Sequence, residues 1–291
     1  MSEQNQITQD PRPFVKMHGL GNDFVIIDGR EDRFDLSADG ARFVANRHRG
    51  VGCDQVITLW PSETGDVFMR IQNADGSEVG ACGNATRCVA HLMLQEFGQD
   101  DVVIETLAGL LKASRDGHQV KVDMGKPQLD WDRIPLAREM DTTSVELVVG
   151  GLGNPVTVNM GNPHAIFFVD SVDGIDLAEL GPQIETHELF PERVNVSIVE
   201  KRGPGDLRLR VWERGAGITQ ACGSAACAAV VAASLRGFVD RKAAIELDGG
   251  ILQMAWNADD HVMMTGDISY VFAGHVFAPF NLEGPDDREK D

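Results

Sequence analysis

The chain has 291 residues, of which 43% are hydrophobic, and this length and composition predict two domains with buried cores. Its formal net charge of −19 at pH 7 argues against a nucleic-acid partner and against an anionic membrane surface, because both would repel it. The sequence has no apolar run of about 18 residues, and its polar N-terminus lacks the apolar core of an export signal, so a cytoplasmic protein is expected.

Short apolar runs bounded by turn residues predict strands along both halves of the chain. In the first half they lie at 14–17, 24–28, 55–60 and 66–72, and two or three more are expected within 102–124, with a turn at 115–117. In the second half they lie at 145–159, 165–170, 194–200 and 207–213, followed by strand-rich sequence from 243 to 265.

Four segments predict helices. In the first half, Ser37 is the expected N-cap of a helix that continues to Arg49. Apolar residues at helical spacing predict a second helix over 84–97. In the second half, helices are expected over 177–187 and 224–236. The helices over 84–97 and 224–236 have no wide charged face, which is typical of helices that are buried.

Both halves of the chain carry the same short motif. Residues 81–85 read Ala-Cys-Gly-Asn-Ala and residues 221–225 read Ala-Cys-Gly-Ser-Ala, so Cys222 follows Cys82 by 140 residues. The same interval relates four further pairs, which are Asn22 and Asn162, Gln55 and Asn195, Asn73 and Glu213, and Arg70 and Arg210. Unrelated sequence would not keep one interval over such a distance, so an internal duplication is predicted.

The duplication and the order of elements predict the fold. The expected class is α/β of the α+β type, with two pseudo-symmetric domains that each consist of a β-sheet wrapped around a central helix. The domains are expected at 12–127 and 128–267, and the polar segments 1–11 and 285–291 are expected to be flexible.

Cys82 and Cys222 each lie where a loop enters a predicted buried helix. A helix N-terminus offers unpaired N–H groups and a partial positive charge, which favour both a thiolate and a bound carboxylate. Gly83 and Gly223 would allow the backbone to approach a ligand closely. Two thiols that face each other across a substrate are what a racemase without a cofactor needs.

The remaining cysteines, Cys53, Cys88 and Cys227, have no cysteine partner at the 140-residue interval and are interpreted as buried packing residues. An odd number of cysteines makes structural disulfides unexpected, and the absence of a C-x-x-C pair makes a structural metal unexpected. No phosphate loop, dinucleotide fingerprint or lysine typical of pyridoxal-phosphate binding stands out, so no cofactor is expected.

Polar residues at equivalent places of the two halves would recognise a small amino-acid substrate. Amide side chains can both donate and accept hydrogen bonds. These amides are Asn22, Gln55, Asn162 and Asn195. The halves differ at one such place, because Asn73 in the first corresponds to Glu213 in the second. Arg214 follows Glu213, and its guanidinium can hold a carboxylate in a bidentate fork. An asymmetric substrate requires such a difference, and His164 and Glu213 could tune proton transfer or bind an ammonium group.

Five motifs, in this order, closely resemble the diaminopimelate epimerase family. They are Met17-His-Gly-Leu-Gly-Asn-Asp-Phe24, Asn73-Ala-Asp-Gly-Ser-Glu78, Cys82-Gly-Asn-Ala-Thr-Arg-Cys88, Met160-Gly-Asn-Pro-His164, and Glu213-Arg-Gly-Ala-Gly217 followed by Ala221-Cys-Gly-Ser224. The resemblance covers roughly residues 14 to 280. It implies cofactor-independent interconversion of LL- and meso-diaminopimelate in lysine and peptidoglycan precursor synthesis. It also implies that strands at about 268–284 return to the first domain.

The resemblance also implies a role for each matching residue. Cys82 and Cys222 are the two acid–base thiols, His164 and Glu213 assist them, and Arg214 reads the distal carboxylate of the substrate. Glu213 is a substrate contact as well, and the other implied contacts are Asn22, Gln55, Asn73, Gly83, Asn84, Asn162, Asn195, Gly223 and Ser224. A homodimer is expected, with Phe272 in place of a tyrosine that some members use at the dimer contact.

Three alternative functions make different demands on the sequence. Proline racemase has a related fold and paired thiols, but its small substrate has no distal groups for Asn73, Asn195 and Arg214 to bind. The phenazine-pathway isomerase shares the fold and lacks the cysteine pair. A non-enzymatic protein that binds metal through thiolates is the third alternative, and metal analysis under reducing conditions would identify it.

Overall fold

A computed structural model describes residues 11–277 and 280–281. The helices of this part of the chain are α1 Ala38–Ala45, α2 Gly83–Phe97, α3 Leu177–Glu185 and α4 Gly223–Leu235. The strands of the first half are β1 Arg12–Gly19, β2 Asn22–Asp28, β3 Asp35–Leu36, β4 Gln55–Trp60, β5 Val67–Asn73, β6 Asp101–Thr106, β7 Gly109–Asp116 and β8 Gln119–Asp123. Those of the second half are β9 Val148–Val149, β10 Leu152–Gly153, β11 Val156–Asn159, β12 Pro163–Val169, β13 Asn195–Gly203, β14 Asp206–Glu213, β15 Gly217–Thr219, β16 Lys242–Leu247, β17 Gly250–Trp256, β18 Val262–Gly266, β19 Ser269–Val276 and β20 Phe280–Asn281.

The chain divides into two compact units. Unit 1 contains the residues up to Lys112 and the C-terminal segment from Ile268, and unit 2 contains Ala113–Asp267. The boundary therefore lies about 15 residues before the one expected at 127. The physical reason is the pairing of β8 with β18, which places Val122 opposite Met264, so the last strand of the first half joins the second unit. The predicted flexible segments 1–11 and 285–291 lie outside the described residues, apart from Pro11.

Unit 1 is built on a sheet with the strand order β19-β1-β2-β4-β5-β6-β7. Strands β1 and β2 are antiparallel, as are β4 and β5, whereas β2 runs parallel to β4 and β5 runs parallel to β6. Helix α2 packs against β1, β2 and β6. Most of its buried residues are small or apolar, although Asn84, Thr86 and Arg87 are buried as well, and Gly98 ends it in the left-handed conformation.

Unit 2 repeats this arrangement with the strand order β11-β12-β13-β14-β16-β17-β18-β8. Its parallel pairs, β12 with β13 and β14 with β16, occupy the same places as those of unit 1. Helix α4 packs against strands from β11 to β14 and from β16 to β18, so the sheet surrounds it. Every residue of α4 from Gly223 to Ala233 is buried except Ser224. The predicted duplicated fold, with a central helix in each half, is confirmed.

Several predicted boundaries are wrong. Helix α1 has Ser37 as N-cap, as predicted, but ends at Ala45 because Asn46 turns to an extended conformation and its side chain accepts from the backbone N–H groups of His48 and Arg49. The strand expected over 145–159 is divided into three, because a turn at Gly150 and Gly151, both with positive φ, separates β9 from β10, and the break at Asn154 and Pro155 separates β10 from β11.

Two smaller differences concern turns and helix ends. Residues 102–124 hold three strands, but their turn lies at 117–118 and not at 115–117. Helix α3 ends at Glu185, two residues earlier than expected. No helix in the described part of the chain combines the length and the apolar character needed to cross a membrane.

Candidate active site

The two repeated cysteines occupy the same structural position in their units. Cys82 is the N-cap residue of α2 and Cys222 is the N-cap residue of α4, both with extended backbone conformations. The following glycines, Gly83 and Gly223, are the first helical residues and are buried. Each sulfur therefore lies beside the unpaired N–H groups and the partial positive charge of a buried helix.

Two amide side chains lie beside Cys82. Its Sγ lies 3.8 Å from Oδ1 of Asn22, and Nδ2 of Asn84 donates to the same oxygen over 3.1 Å. The Nδ2 of Asn22 points the other way and donates to Oδ2 of Asp54 over 3.0 Å. Because a carboxylate only accepts, Asp54 fixes which end of the Asn22 amide faces the sulfur.

Asp54 is itself held by a network of charges. Arg47 donates to both oxygens of Asp23 over 2.9 and 2.8 Å and to Oδ1 of Asp54 over 2.9 Å. The buried ammonium of Lys16 lies 2.6 Å from Oδ2 of Asp23. Burial alone would raise the pKa of Asp23, but the hydrogen bonds from Arg47 and Lys16 outweigh it and hold that pKa well below its usual range.

The surroundings of Cys222 are different, because a carboxyl group contacts its thiol. Burial raises the pKa of Cys222 well above its usual value, and the negative charge of Glu213 raises it further. Burial also raises the pKa of Glu213, while hydrogen bonds from Thr219 and Cys222 partly offset the effect. The hydroxyl of Ser224 lies 3.5 Å from the sulfur. These contacts keep the Cys222 thiol protonated, with its hydrogen directed to Glu213.

Two polar residues of unit 1 lie on neighbouring strands. Gln55 of β4 stands opposite Asn73 of β5, and its Nε2 donates to Oδ1 of Asn73 over 2.9 Å. Asn73 in turn donates to the hydroxyl of Ser77 over 3.1 Å. Among the described residues, nothing donates a hydrogen bond to the buried Oε1 of Gln55. An unsatisfied buried acceptor is costly, so this oxygen is suited to a donor on a ligand.

The corresponding residues of unit 2 surround His164. Its Nε2 lies 2.9 Å from Oδ1 of Asn162, and β12 places it opposite Asn195 of β13. Burial lowers the pKa of His164 to about 3, and the positive charge of Arg214 adds to this effect. His164 is therefore neutral near pH 7, and in the tautomer with hydrogen on Nε2 it donates to Oδ1 of Asn162 and orients that amide.

Asn195 connects two segments of unit 2. Its Nδ2 donates to the carbonyl of Pro163 over 2.8 Å, and its Oδ1 accepts from the backbone N–H of Arg214 over 2.9 Å. Asn195 thus positions the start of the turn that carries Arg214. The side chain of Arg214 is exposed and donates to the carbonyl of Glu192 over 2.9 Å.

The other three cysteines are buried within their units, as interpreted from the sequence. Burial raises the pKa of Cys53 and of Cys88 to about 12, so neither thiol ionises near neutral pH. Within residues 11–277, His, Cys, Asp and Glu side chains form no group of three or more that could hold a metal ion.

Contacts therefore connect the predicted residues within each unit. Sequence reasoning missed Asp54 and Thr219, which hold Asn22 and Glu213 in place. Asp54 lies directly before Gln55, and Thr219 ends β15 three residues before Cys222. A polar residue beside a predicted binding residue was the available signal.

Comparison with known proteins finds the same family in both halves of the chain. The model of the diaminopimelate epimerase family matches residues 14–129 and again residues 156–271. The chain belongs to the diaminopimelate epimerase family. The two matched segments correspond to the two copies of the duplicated motif, and each contains one of the N-cap cysteines.

Curated relatives agree over nearly the whole chain. A diaminopimelate epimerase from Rhodospirillum centenum is 53% identical over 268 residues, which are 91% of this chain and 92% of that protein. One from Acidiphilium cryptum is 52% identical and covers 92% of this chain and 97% of its own. Among solved structures, a phenazine biosynthesis protein of the PhzF family from Enterococcus faecalis has a TM-score of 0.66 at 12% identity and covers 91% of this chain and 99% of its own. That likeness shows the fold alone.

Proposed function

We propose that this protein interconverts LL- and meso-2,6-diaminopimelate without a cofactor, with Cys82 and Cys222 as the two acid–base groups. The observation that carries this function is the placement of one thiol at each of two equivalent buried helix N-termini, with unlike partners. Membership of the family supports the substrate. The product would serve lysine and peptidoglycan precursor synthesis.

Proton transfer follows from the protonation states that the surroundings favour. In one direction, a thiolate removes the α-hydrogen of the substrate as a proton, and the opposite thiol delivers its own proton to the other face of the same carbon. The carbon changes configuration, and the two sulfurs exchange protonation states. Contact with Glu213 keeps Cys222 protonated in the free enzyme, which suits it to the delivering role.

Each of the two helix ends offers N–H groups that suit the carboxylate next to the reacting carbon. The N-termini of α2 and α4 begin at Gly83 and Gly223, and Asn84 and Ser224 follow. Their N–H groups attract a carboxylate, and they stabilise the negative charge that develops when the proton leaves. Exclusion of water by closure of the site would strengthen both effects.

The distal end of the substrate distinguishes diaminopimelate from smaller amino acids. Arg214 is exposed and presents a guanidinium for the distal carboxylate, and Glu213 lies beside it in the chain. The buried Oε1 of Gln55 has no described donor and suits an ammonium group. Asn73 accepts a hydrogen bond from Gln55, and Asn195 accepts one from the backbone N–H of Arg214. In addition to contacting the substrate, both asparagines would therefore orient other substrate-binding residues.

The role of His164 would be to orient and not to transfer protons. Because its pKa is lowered to about 3, it cannot supply a proton near neutral pH. It assists the centre by fixing the amide of Asn162, the counterpart of the Asn22 amide beside Cys82.

The test is α-hydrogen exchange in deuterated water with a panel of amino acids. Exchange confined to diaminopimelate is expected, and it should disappear in Cys82→Ala and in Cys222→Ala. Cys88→Ala is the matched control, because that thiol is buried within α2, and it should keep the activity. Exchange with proline alone, or full activity in either of the first two variants, would overturn the two-thiol epimerase.

The family resemblance also supports a homodimer, which we propose forms through β19. This strand ends the sheet order of unit 1 and pairs with β1 among the described strands. Tyr270, Val271 and Phe272 are successive exposed residues on it, so both of its faces present apolar surface. Phe272→Asp should yield a monomer in sedimentation equilibrium, with Val148→Asp, on another exposed apolar residue, as the control. A dimeric Phe272→Asp variant would refute this interface.

The reactive thiols also support a cytoplasmic location. No disulfide joins the five cysteines, which all lie within residues 11–277. Thiols stay reduced in the cytosol, where glutathione and thioredoxin prevent stable disulfides.

A further inference from the structure

We propose that each cysteine loop is positioned by a β-hairpin turn of its own unit, with Thr106 and Arg208 as the positioning residues. The turns are Leu107–Ala108, between β6 and β7, and Asp248–Gly249, between β16 and β17. Neither Thr106 nor Arg208 touches the thiols. The inference rests on the proposed function only in that it treats Cys82 and Cys222 as the reacting groups.

In unit 1, the turn holds the chain two residues before Cys82. The backbone N–H of Ala108 donates to the carbonyl of Gly80 over 3.1 Å. Gly80 packs so closely that an added Cβ would lie 3.3 Å from the Cβ of Ala108. The buried hydroxyl of Thr106 stabilises the turn, because it donates to the carbonyl of Gly109 over 2.9 Å and lies 3.2 Å from the Ala108 nitrogen.

In unit 2, the equivalent turn holds the chain two residues before Cys222. The backbone N–H of Gly249 donates to the carbonyl of Gln220 over 2.9 Å. Here a charged side chain braces the turn: Arg208 donates to the carbonyl of Glu246 over 3.1 Å and forms an ion pair with Asp248. The guanidinium is largely buried, with 13% of the Arg208 side chain exposed.

Both halves thus have the hydrogen bond from the turn to the cysteine loop, but different side chains stabilise the two turns. Each turn is followed by a glycine with positive φ, Gly109 at 117° and Gly250 at 142°, a conformation that other residues rarely adopt. The residue 140 positions before Arg208 is Phe68, so the arginine brace belongs to unit 2 alone. Likewise, the hydroxyl of Thr106 has no counterpart in Leu247, which ends β16. Each half can therefore be perturbed separately.

Each turn holds a residue that lies close in sequence to a cysteine, so the turn affects the position of the sulfur. Only one residue separates Gly80 from Cys82 and Gln220 from Cys222. A displacement of the turn is therefore passed to the sulfur, and a misplacement of about 1 Å at a reacting group can slow a reaction by about 100-fold.

The experiment compares alkylation of the two cysteines within the same protein. Purified enzyme is treated with iodoacetamide without substrate, and peptide mass spectrometry gives the rate at Cys82 and at Cys222. In Thr106→Val, the rate at Cys82 should rise about fivefold, the effect of one lost hydrogen bond, while the rate at Cys222 stays constant. In Arg208→Met, the rate should rise at Cys222 and stay constant at Cys82.

Matched variants separate positioning from loss of stability. Thr106→Ser and Arg208→Lys keep the hydroxyl and the positive charge, so both should restore most of the wild-type rate. Thr58→Val removes a buried hydroxyl that has no hydrogen-bond partner among the described residues, and Arg241→Met removes an arginine bound to Asp260. These two controls should leave both alkylation rates unchanged.

Two outcomes would overturn the inference. One is a change at both cysteines in either positioning variant, which indicates general loosening of the fold. The other is wild-type rates at both cysteines in Thr106→Val and in Arg208→Met. Alkylation needs no substrate, so an inactive protein with the expected alkylation pattern would remove the epimerase function and keep the positioning role.

Discussion

The charge of Glu213 offers a direct test of how Cys222 stays protonated. Glu213→Gln removes the negative charge and keeps nearly the same shape. In the wild-type protein, burial and this charge both raise the pKa of Cys222. Removing the charge leaves the burial unchanged, so the pKa of Cys222 should fall and its thiolate should become more abundant at any pH below that pKa.

The size of the effect follows from the contact between the carboxylate and the sulfur. Two unit charges about 4 Å apart repel by about 4 kcal/mol at an effective dielectric constant of about 20. Since each 1.36 kcal/mol is a factor of ten in a protonation equilibrium, full repulsion would change the thiolate population by about a thousandfold. The pKa of Glu213 is itself raised, so the carboxyl group carries less than a full charge at lower pH, and we expect about tenfold to a thousandfold.

The assay is the iodoacetamide rate at Cys222 as a function of pH, with Cys82 as the reference in each sample. Glu185→Gln is the control, because its carboxylate binds Trp212 and the backbone of Gly215 and is not among the main causes of the raised pKa of Cys222. The Cys222 rate at pH 8 should rise by at least about tenfold in Glu213→Gln and stay constant in the control. An unchanged or slower rate in Glu213→Gln would refute the electrostatic explanation.

Two further predictions concern the network around Asn22. Asp54→Asn replaces a carboxylate, which only accepts hydrogen bonds, with an amide that also donates, so the Asn22 amide loses its preferred orientation. The rate of epimerisation should then fall about tenfold. A wild-type rate would contradict this role of Asp54. Asp23→Asn leaves the buried Lys16 ammonium without its carboxylate and should lower the free energy of unfolding in urea by about 3 kcal/mol at pH 7. Because the pKa of Asp23 is lower in the folded than in the unfolded state, this difference should be constant above about pH 4 and shrink as the pH falls below it; a constant difference down to pH 2 would count against the assignment.

The helices and the duplication could be predicted because their signals are local or periodic. Apolar residues after each Cys-Gly place α2 and α4 within one residue of their observed starts. The 140-residue interval predicts that the second unit repeats the strands of the first. The residue type at Ser37 also predicts the N-cap of α1, since capping depends on the first turn alone.

The domain boundary could not be predicted in the same way. Strand β8 lies in the first half of the sequence, but its hydrogen bonds join it to β18 in the second unit. Hydrophobic patterns report which residues are buried and not which strand is the neighbour. The adjacent glycines at 150 and 151, by contrast, were a visible signal for a turn within the supposed strand over 145–159.

Site residues could be predicted by type and their interactions could not. The motif identifies Asn22, but the direction of its amide depends on Asp54, which comes from a separate loop. The motif also identifies Cys222 and Glu213, while their contact depends on how β15, which precedes α4, pairs with β14. Hydrogen bonds between side chains require positions that only the tertiary structure defines.

The pairing of β1 with β19 has a consequence for how the chain is made. Arg12 stands opposite Val276, so β1 can complete its pairing only after the chain has been synthesised as far as β19. Until then, the nascent first unit exposes the edge of β1, which is a site for mispairing with other chains. Unit 2 is continuous in sequence and complete by Asp267, so it can fold before unit 1 is closed.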